Sequence, residues 1–534
     1  MDAQYIDYED THSFSKAVIR YIHQDESLKP FYDQPANLNG FKTLINKKKV
    51  TANRELLYHS LLKQYESISD KSFLVQNNLE QLKKENTFTV TTGHQLNIFT
   101  GPLYFIFKIV TAINLAKKLR KEFPDKTFVP VYWMATEDHD FAEINHTYIG
   151  GKKIEWKNDV PGATGRINTK SILEALNEYK AVLGISANAE KLSEWISDAY
   201  TKHDKLADAT RYLVNKLFGN YGLVIINADD IELKRLFAPI IKEDIIHQNS
   251  FTKISDSNKK LADIHIEAQV NPREINFFYL TEGLRERIIL ENEVYLINNT
   301  DLTFTKEELL KEIDNHPDRF SPNVVMRPLY QETILPNLAY IGGGAEIIYW
   351  LQLKSTFEYY KIDFPILLLR NSALVTNKKT SGKLQRLQLC YKDLFYSLDT
   401  IKSKWVNKQS SHVLSLKDEW REIDSIFAKL KLRIHKIDPT LSPSTEAVKI
   451  RLEKALKNLE KKLIKAEKKN FSDALNDIEK IKNSLFPNGG LQERKENFGL
   501  FYIKYGDEFI KSLIEDFKPL DLKFTIINGV SHFC

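Results

Sequence analysis

One stretch of this chain leaves little freedom in what it can fold into. Residues 87–94, TFTVTTGH, are rich in β-branched side chains and read as a buried strand. A turn at Thr100-Gly101-Pro102 leads into LYFIFKIVTAINLAKKLRKEF, whose spacing predicts a helix. FVPVYWMATEDHD, residues 128–140, is a second strand that ends in clustered charge. A strand, a helix and a strand in that order make a βαβ unit with parallel strands.

Further strands are expected within residues 221–230 and 364–375, which extend an α/β sheet. Residues 12–85 read as helices. The stretch 231–330 mixes short helices with hairpin-like strands such as REINFFYL and RERIIL, the pattern of an insertion. Beyond residue 410 the period changes. Leu416, Trp420, Ile423, Phe427, Leu430, Ile434 and Ile437 alternate four- and three-residue steps, and a second seam runs through Leu452, Leu456, Leu459, Leu463 and Ala466. A long antiparallel helical hairpin follows from this, with its apolar seams seeking a second copy. The expected division is a Rossmann-like core over 1–400 with insertions near 152–215 and 231–330, a helical coiled-coil domain over 401–490, and a segment 491–534 that returns to the core.

Composition narrows the function classes. The formal charge of +5 is a small difference between 76 basic and 71 acidic residues, so it gives no argument for nucleic acid. No apolar run is long enough to span a bilayer, and the acidic start has no signal core, from which no membrane association and a cytoplasmic location are expected. Two cysteines far apart, Cys390 and Cys534, offer neither a disulfide framework nor a zinc cluster.

Candidate chemistry gathers in three places. TTGHQLNIFTGPLY lies where a strand's carboxyl end meets a helix, the usual ligand position in open α/β sheets; it offers His94, Gln95, Asn97, Thr100 and Gly101. TEDHDFAEINH concentrates Glu137, Asp138, His139 and Asp140, with Asn145 and His146 following. Gathering such charge at a sheet end is costly unless it is solvated or used, and flanking carboxylates are expected to raise the pKa of His139, a candidate base. MRPLYQETILPNLAYIGGGAEIIYW supplies Arg327, Gln331, Gly342, Gly343, Gly344 and Glu346, a glycine turn opening a helix. It is neither a Walker motif nor a GxGxxG. Arg327 suits a carboxylate, whereas Lys108, two turns into its helix, is expected to face solvent. FPNGGLQERKENFGLFY reads as a helix stop and restart, with the role of Arg494 open.

Taken together, TGPLY, EDHDFAEINH, RPLYQETILPNLAYIGGGAEIIYW and FPNGGLQER resemble the bacillithiol biosynthesis cysteine-adding enzymes over nearly the whole chain. The resemblance implies a Rossmann-like core related to class I aminoacyl-tRNA synthetases, a coiled-coil domain used in dimerisation, and a ligase that joins the carboxyl of cysteine to the amine of glucosaminyl-malate. The expected catalytic residues are Asp138, His139 and His94, with substrate contacts from Gln95, Asn97, Thr100, Gly101, Glu137, Asp140, Asn145, Arg327, Gln331, Gly342, Gly343, Gly344 and Glu346. The cofactor is unknown. A nucleotide, ATP or ADP, would suit carboxyl activation, and no zinc or other metal is expected. A synthetase-like or nucleotidyl enzyme acting on another amine, or a coiled-coil scaffold, are the alternatives.

Overall fold

The computed structural model describes residues 3–48, 52–68, 71–158 and 160–528. Its centre is a five-stranded parallel sheet of β1 (Thr87–His94), β2 (Thr127–Met134), β3 (Val224–Asn227), β4 (Asn337–Gly342) and β5 (Ile366–Leu369), in the order β5-β4-β1-β2-β3. The chain leaves β1 toward β2 and β3, then crosses to the other side of β1 to form β4. This reversal puts the topological switch point between β1 and β4, where open α/β sheets leave a crevice at the strands' carboxyl ends.

Both faces of the sheet are covered, so its strands read as continuous buried runs without alternation. Three buried threonines of β1 have partners for their hydroxyls: Thr89 and Thr91 donate to Asn337 Oδ1 at 3.1 and 2.8 Å, and Thr92 to the Ile341 carbonyl at 2.9 Å. Between β1 and β2 runs α1 (Tyr104–Glu122), buried without interruption from Phe105 to Ala116. The sheet covers one side of it. The helix Asp507–Asp516 packs on it from another direction, and Asn114 Nδ2 donates to the Phe517 carbonyl at 2.9 Å.

The residues between β3 and β4 build an antiparallel sheet of Phe277–Thr281, Leu284–Glu291, Val294–Ile297, Thr303–Phe304 and Phe320–Pro322. Residues 364–375, read as one strand, form two. β5 ends at Leu369, and Ala373–Val375 joins a second sheet with Ala3–Asp7 and Lys523–Ile527. Between the two, the Arg370 N–H still donates to the Gly342 carbonyl at 2.9 Å, and the Asn371 N–H donates to Thr111 Oγ1 at 3.0 Å.

Two further helices open at the switch point, α2 (Arg327–Ile334) and α3 (Gly344–Leu351). The helical hairpin consists of α4 (Lys417–Ile437) and α5 (Ser442–Glu467), and neither helix has a buried residue. Its continuation, α6 (Ser472–Leu485), is different: Leu475, Ile478, Ile481 and Leu485 are buried against the body. Cys534 lies outside the described residues. No helix among them is long and apolar enough to cross a membrane.

Candidate functional site

A cavity of about 810 Å³ opens at the switch point. The end of β1 gives it Gly93, His94 and Gln95; the end of β2 gives Thr136, Glu137 and Asp138; the turn after β4 gives Gly343, Gly344 and Glu346. Arg327 and Tyr349 line it from α2 and α3, Tyr104 and Lys108 from α1. The inserted sheet closes the outer side with Arg285 and Arg287, and the segment just before it adds Arg273.

The floor is an ion pair. Lys108 Nζ lies 2.5 Å from Glu346 Oε2 and donates to the Gly93 carbonyl at 2.9 Å. Glu346 also accepts from the Gly343 N–H at 2.8 Å, capping α3, and from Tyr340 Oη at 2.7 Å. Burial opposes its charge, but the Lys108 ammonium and these donors outweigh that and hold its carboxyl down at about 2. Lys108 is therefore not solvent-facing as its place two turns into a helix suggests, because the helix is buried on every side from Phe105 to Ala116 and exposed residues begin only at Lys117.

His94 packs its ring against Tyr104 and Phe105. Burial, with Lys108 nearby, pushes its pKa down to about 3, so the imidazole is neutral, and its Nε2 has no partner among the described residues. Glu137 is paired with Lys234, whose ammonium also donates to the Phe320 carbonyl at 2.7 Å. Asp138 differs. Its Oδ2 accepts from Gln95 Nε2 at 2.7 Å and its Oδ1 from the His139 N–H at 2.8 Å, both neutral donors. Of the three carboxylates in the cavity, Asp138 alone has no lysine partner among the described residues.

His139 is corrected in two respects. Its side chain does not line the cavity, and its pKa is lowered by burial and by Arg285, against the expected rise. Arg285 Nη1 lies 2.6 Å from its Nδ1. A guanidinium only donates, so Nδ1 is the acceptor and the proton sits on Nε2.

The remaining sequence candidates divide by place. Asp140 caps the short helix Phe141–Ile144, and Asn145 Oδ1 meets His146 Nδ1 at 3.0 Å; both lie off the cavity. Asn97 and Thr100 line a separate small crevice with Tyr200. Gly101 has φ of +62°, and a Cβ there would come within 2.5 Å of Asn97 Cβ, so it shapes the turn. Gln331 is buried behind Arg327, accepting from its Nη1 at 3.2 Å and donating to Glu332 at 2.9 Å. Gly342 ends β4 without lining the cavity.

Residues that sequence reasoning missed are mostly basic. Arg370 is buried, donates to Glu493 Oε1 at 2.7 Å and leaves Nε without a partner among the described residues. Arg494, whose role the sequence left open, lines the cavity next to Glu493. Asn497 secures the first segment, donating to the Phe99 and Gly101 carbonyls at 2.8 and 2.7 Å. RERIIL carried a signal for Arg285 and Arg287: alternating basic residues in a strand put both on one face. Among the described residues, no group of three or more His, Cys, Asp or Glu side chains could hold a metal ion.

A parallel sheet covered on both faces, with a crevice lined by basic side chains at its switch point, defines a Rossmann-like α/β protein. Residues 1–371 match the N-terminal Rossmann-like domain of bacillithiol biosynthesis BshC, and residues 373–529 match its C-terminal coiled-coil domain. The chain belongs to the bacillithiol biosynthesis BshC family. Proteins named "Putative cysteine ligase BshC" from Flavobacterium johnsoniae and Flavobacterium psychrophilum are 45% and 46% identical to it, over 99% of this chain and 100% and 99% of theirs. One of the same name from Christiangramia forsetii is 41% identical over 99% of both chains.

Proposed function

We propose that this chain is a ligase of bacillithiol biosynthesis that forms an amide between the carboxyl of cysteine and the amine of glucosaminyl-malate. The observation that carries the reading is the charge of the cavity. Seven cationic side chains line it, namely Lys108, Arg273, Arg285, Arg287, Arg327, Arg370 and Arg494, against the three carboxylates Glu137, Asp138 and Glu346. Two of those carboxylates are already matched by Lys108 and Lys234. A net positive, partly enclosed site suits a substrate with two carboxylates.

The amine must lose a proton to become a nucleophile, and the carboxyl must carry a leaving group. In the step itself a C–N bond forms, the C–O bond to the leaving group breaks, and the proton goes to a base. Asp138 suits this role because its two oxygens meet only neutral donors, so it attracts the ammonium of the amine before taking its proton. His94, neutral and unpartnered at Nε2, offers a hydrogen bond to the reacting groups. His139 is not free for either task, since its basic nitrogen is committed to Arg285. A nucleoside triphosphate is the chemical class that would activate the carboxyl.

Incubating the protein with cysteine, glucosaminyl-malate and ATP or ADP, and weighing the product by mass spectrometry, tests the reading. Appearance of the amide is the expected result. Its absence with every nucleotide, in protein that stays folded, would favour a different amine or the scaffold alternative.

A further inference from the structure

The outer wall of the cavity carries charge that no ion pair among the described residues neutralises. Arg285 leaves the strand Leu284–Glu291, lies flat over the Phe278 ring with its guanidinium carbon 4.0 Å from the centroid, and donates through Nε to Ser321 Oγ at 3.1 Å and through Nη1 to His139 Nδ1 at 2.6 Å. An aromatic face, a hydroxyl and a neutral imidazole fix the fork in place without cancelling its charge. Asp138 and Glu137 act on it only from beyond ion-pair distance, and burial pushes its pKa down, as expected of a cation partly stripped of water with no counter-ion beside it. Arg287, two residues along the same strand and so on the same face, and Arg273 also line the cavity without an ion pair among the described residues.

Structural arginines of this chain look different. Arg370 has Glu493 at 2.7 Å, Arg166 has Asp229 at 2.7 Å and Arg319 has Glu312 at 2.7 Å. Holding an arginine rigid against neutral groups, at the edge of a cavity, costs free energy that an arriving anion would offset.

We propose that Arg285 is the anchor of an oxyanion-binding subsite on the inserted sheet, and that His139 is its positioning residue, not a catalytic base. The ligand chemistry is a carboxylate or phosphate oxygen pair that meets the guanidinium edge. Two sources would present it: the acidic part of the amine substrate or the phosphates of the activating co-substrate. The subsite rests on the amide-ligase reading only for the names of those sources.

Calorimetric titration of the full chain with malate and, separately, with pyrophosphate tests it without turnover. In Arg285→Gln, whose fold is checked by circular dichroism, affinity for one probe should fall about tenfold or more, the scale of one charge-assisted pair. Loss for malate assigns the carboxylate source; loss for pyrophosphate assigns the phosphate source. His139→Ala should weaken the same probe by several-fold, and His139→Asn, whose amide oxygen can replace Nδ1 as acceptor, should restore it to within about twofold. The proposal is overturned if wild-type protein binds neither probe, if Arg285→Gln binds both as well as wild type, or if His139→Ala is silent. Absence of product in the ligase assay with these binding losses intact would overturn the reaction and leave the subsite standing.

Discussion

Lys108 Nζ and Glu346 Oε2, 2.5 Å apart, tie the carboxyl end of the central strand β1 to the glycine turn after β4 across the switch point. The pair holds open the crevice between two strands that are neighbours in the sheet but distant in sequence. Removing one partner leaves a charge with little water around it. Lys108→Met should cost about 3 kcal/mol in denaturant unfolding, the usual scale for breaking such a pair, and Lys108→Met combined with Glu346→Gln should recover much of that. A double variant that loses the sum of the two single losses would show that the pair contributes no coupling.

The same pair sets an acid limb. The Glu346 pKa is depressed from 4.5 to about 2, so its contribution is complete above about pH 4.5 and is lost as pH falls toward 2. The stability difference between wild type and Glu346→Gln, followed by denaturant midpoint, should shrink over that window and stay level above it. A difference that keeps changing between pH 5 and 8 would contradict the assignment.

Much of this site was legible in the sequence, and the reason is periodicity. The βαβ unit, the strand ends at residue 94 and residue 137, and the glycine turn at 342–344 all follow from strand and turn chemistry that is local. Gly93, His94, Glu137, Asp138, Gly343, Gly344 and Glu346 do meet in one cavity. What local chemistry does not carry is which polar residue finds a distant partner. Lys108 pairs across 238 residues and Arg370 with a glutamate 123 residues on. The tilt of His139 toward Arg285 depends on an insertion whose own fold had to be known first. Asp140 and Asn145 share the charged segment with Asp138, but the short helix Phe141–Ile144 turns them outward.

His94 should not titrate in the physiological range. Its pKa is pushed from 6.5 to about 3 by burial, so the folded state binds no proton there while the unfolded state does, and this residue subtracts stability as pH falls below about 6.5. Side-chain nuclear magnetic resonance should show one imidazole that stays neutral from pH 8 to 5 and changes only on unfolding. A titration of His94 near 6.5 would contradict the burial argument.

The helical hairpin is proposed to join two copies. Leu441, Val448, Leu452 and Leu459 follow steps of seven, four and seven along α5 and its entry, and all are exposed, as are Ile426, Leu430 and Ile437 of α4 and its end. Light scattering of the full chain at micromolar concentration should give twice the monomer mass, and replacing residues 417–467 by a short linker should give a monomer. A full chain that is monomeric, or a shortened chain that still dimerises, would rule the hairpin out.

Arg327 is expected to contact an anionic group of the substrate. It spends Nη1 on Gln331 and Nη2 on Tyr349, both at 3.2 Å, and keeps the rest of its fork for the cavity. Lysine cannot hold both neighbours and a ligand. Arg327→Lys should raise the KM for glucosaminyl-malate about tenfold or more, the scale of one charge-assisted hydrogen bond, and move the KM for cysteine much less.

Three strand-end segments, 93–95, 135–138 and 343–346, are proposed to form one substrate site. Hydrogen–deuterium exchange of the full chain with and without glucosaminyl-malate tests it most directly, because each segment reports separately and no turnover is needed. Added protection is expected in all three, with α4 and α5 unchanged. Protection confined to the helical hairpin, or none in the three segments at a saturating concentration, would contradict it.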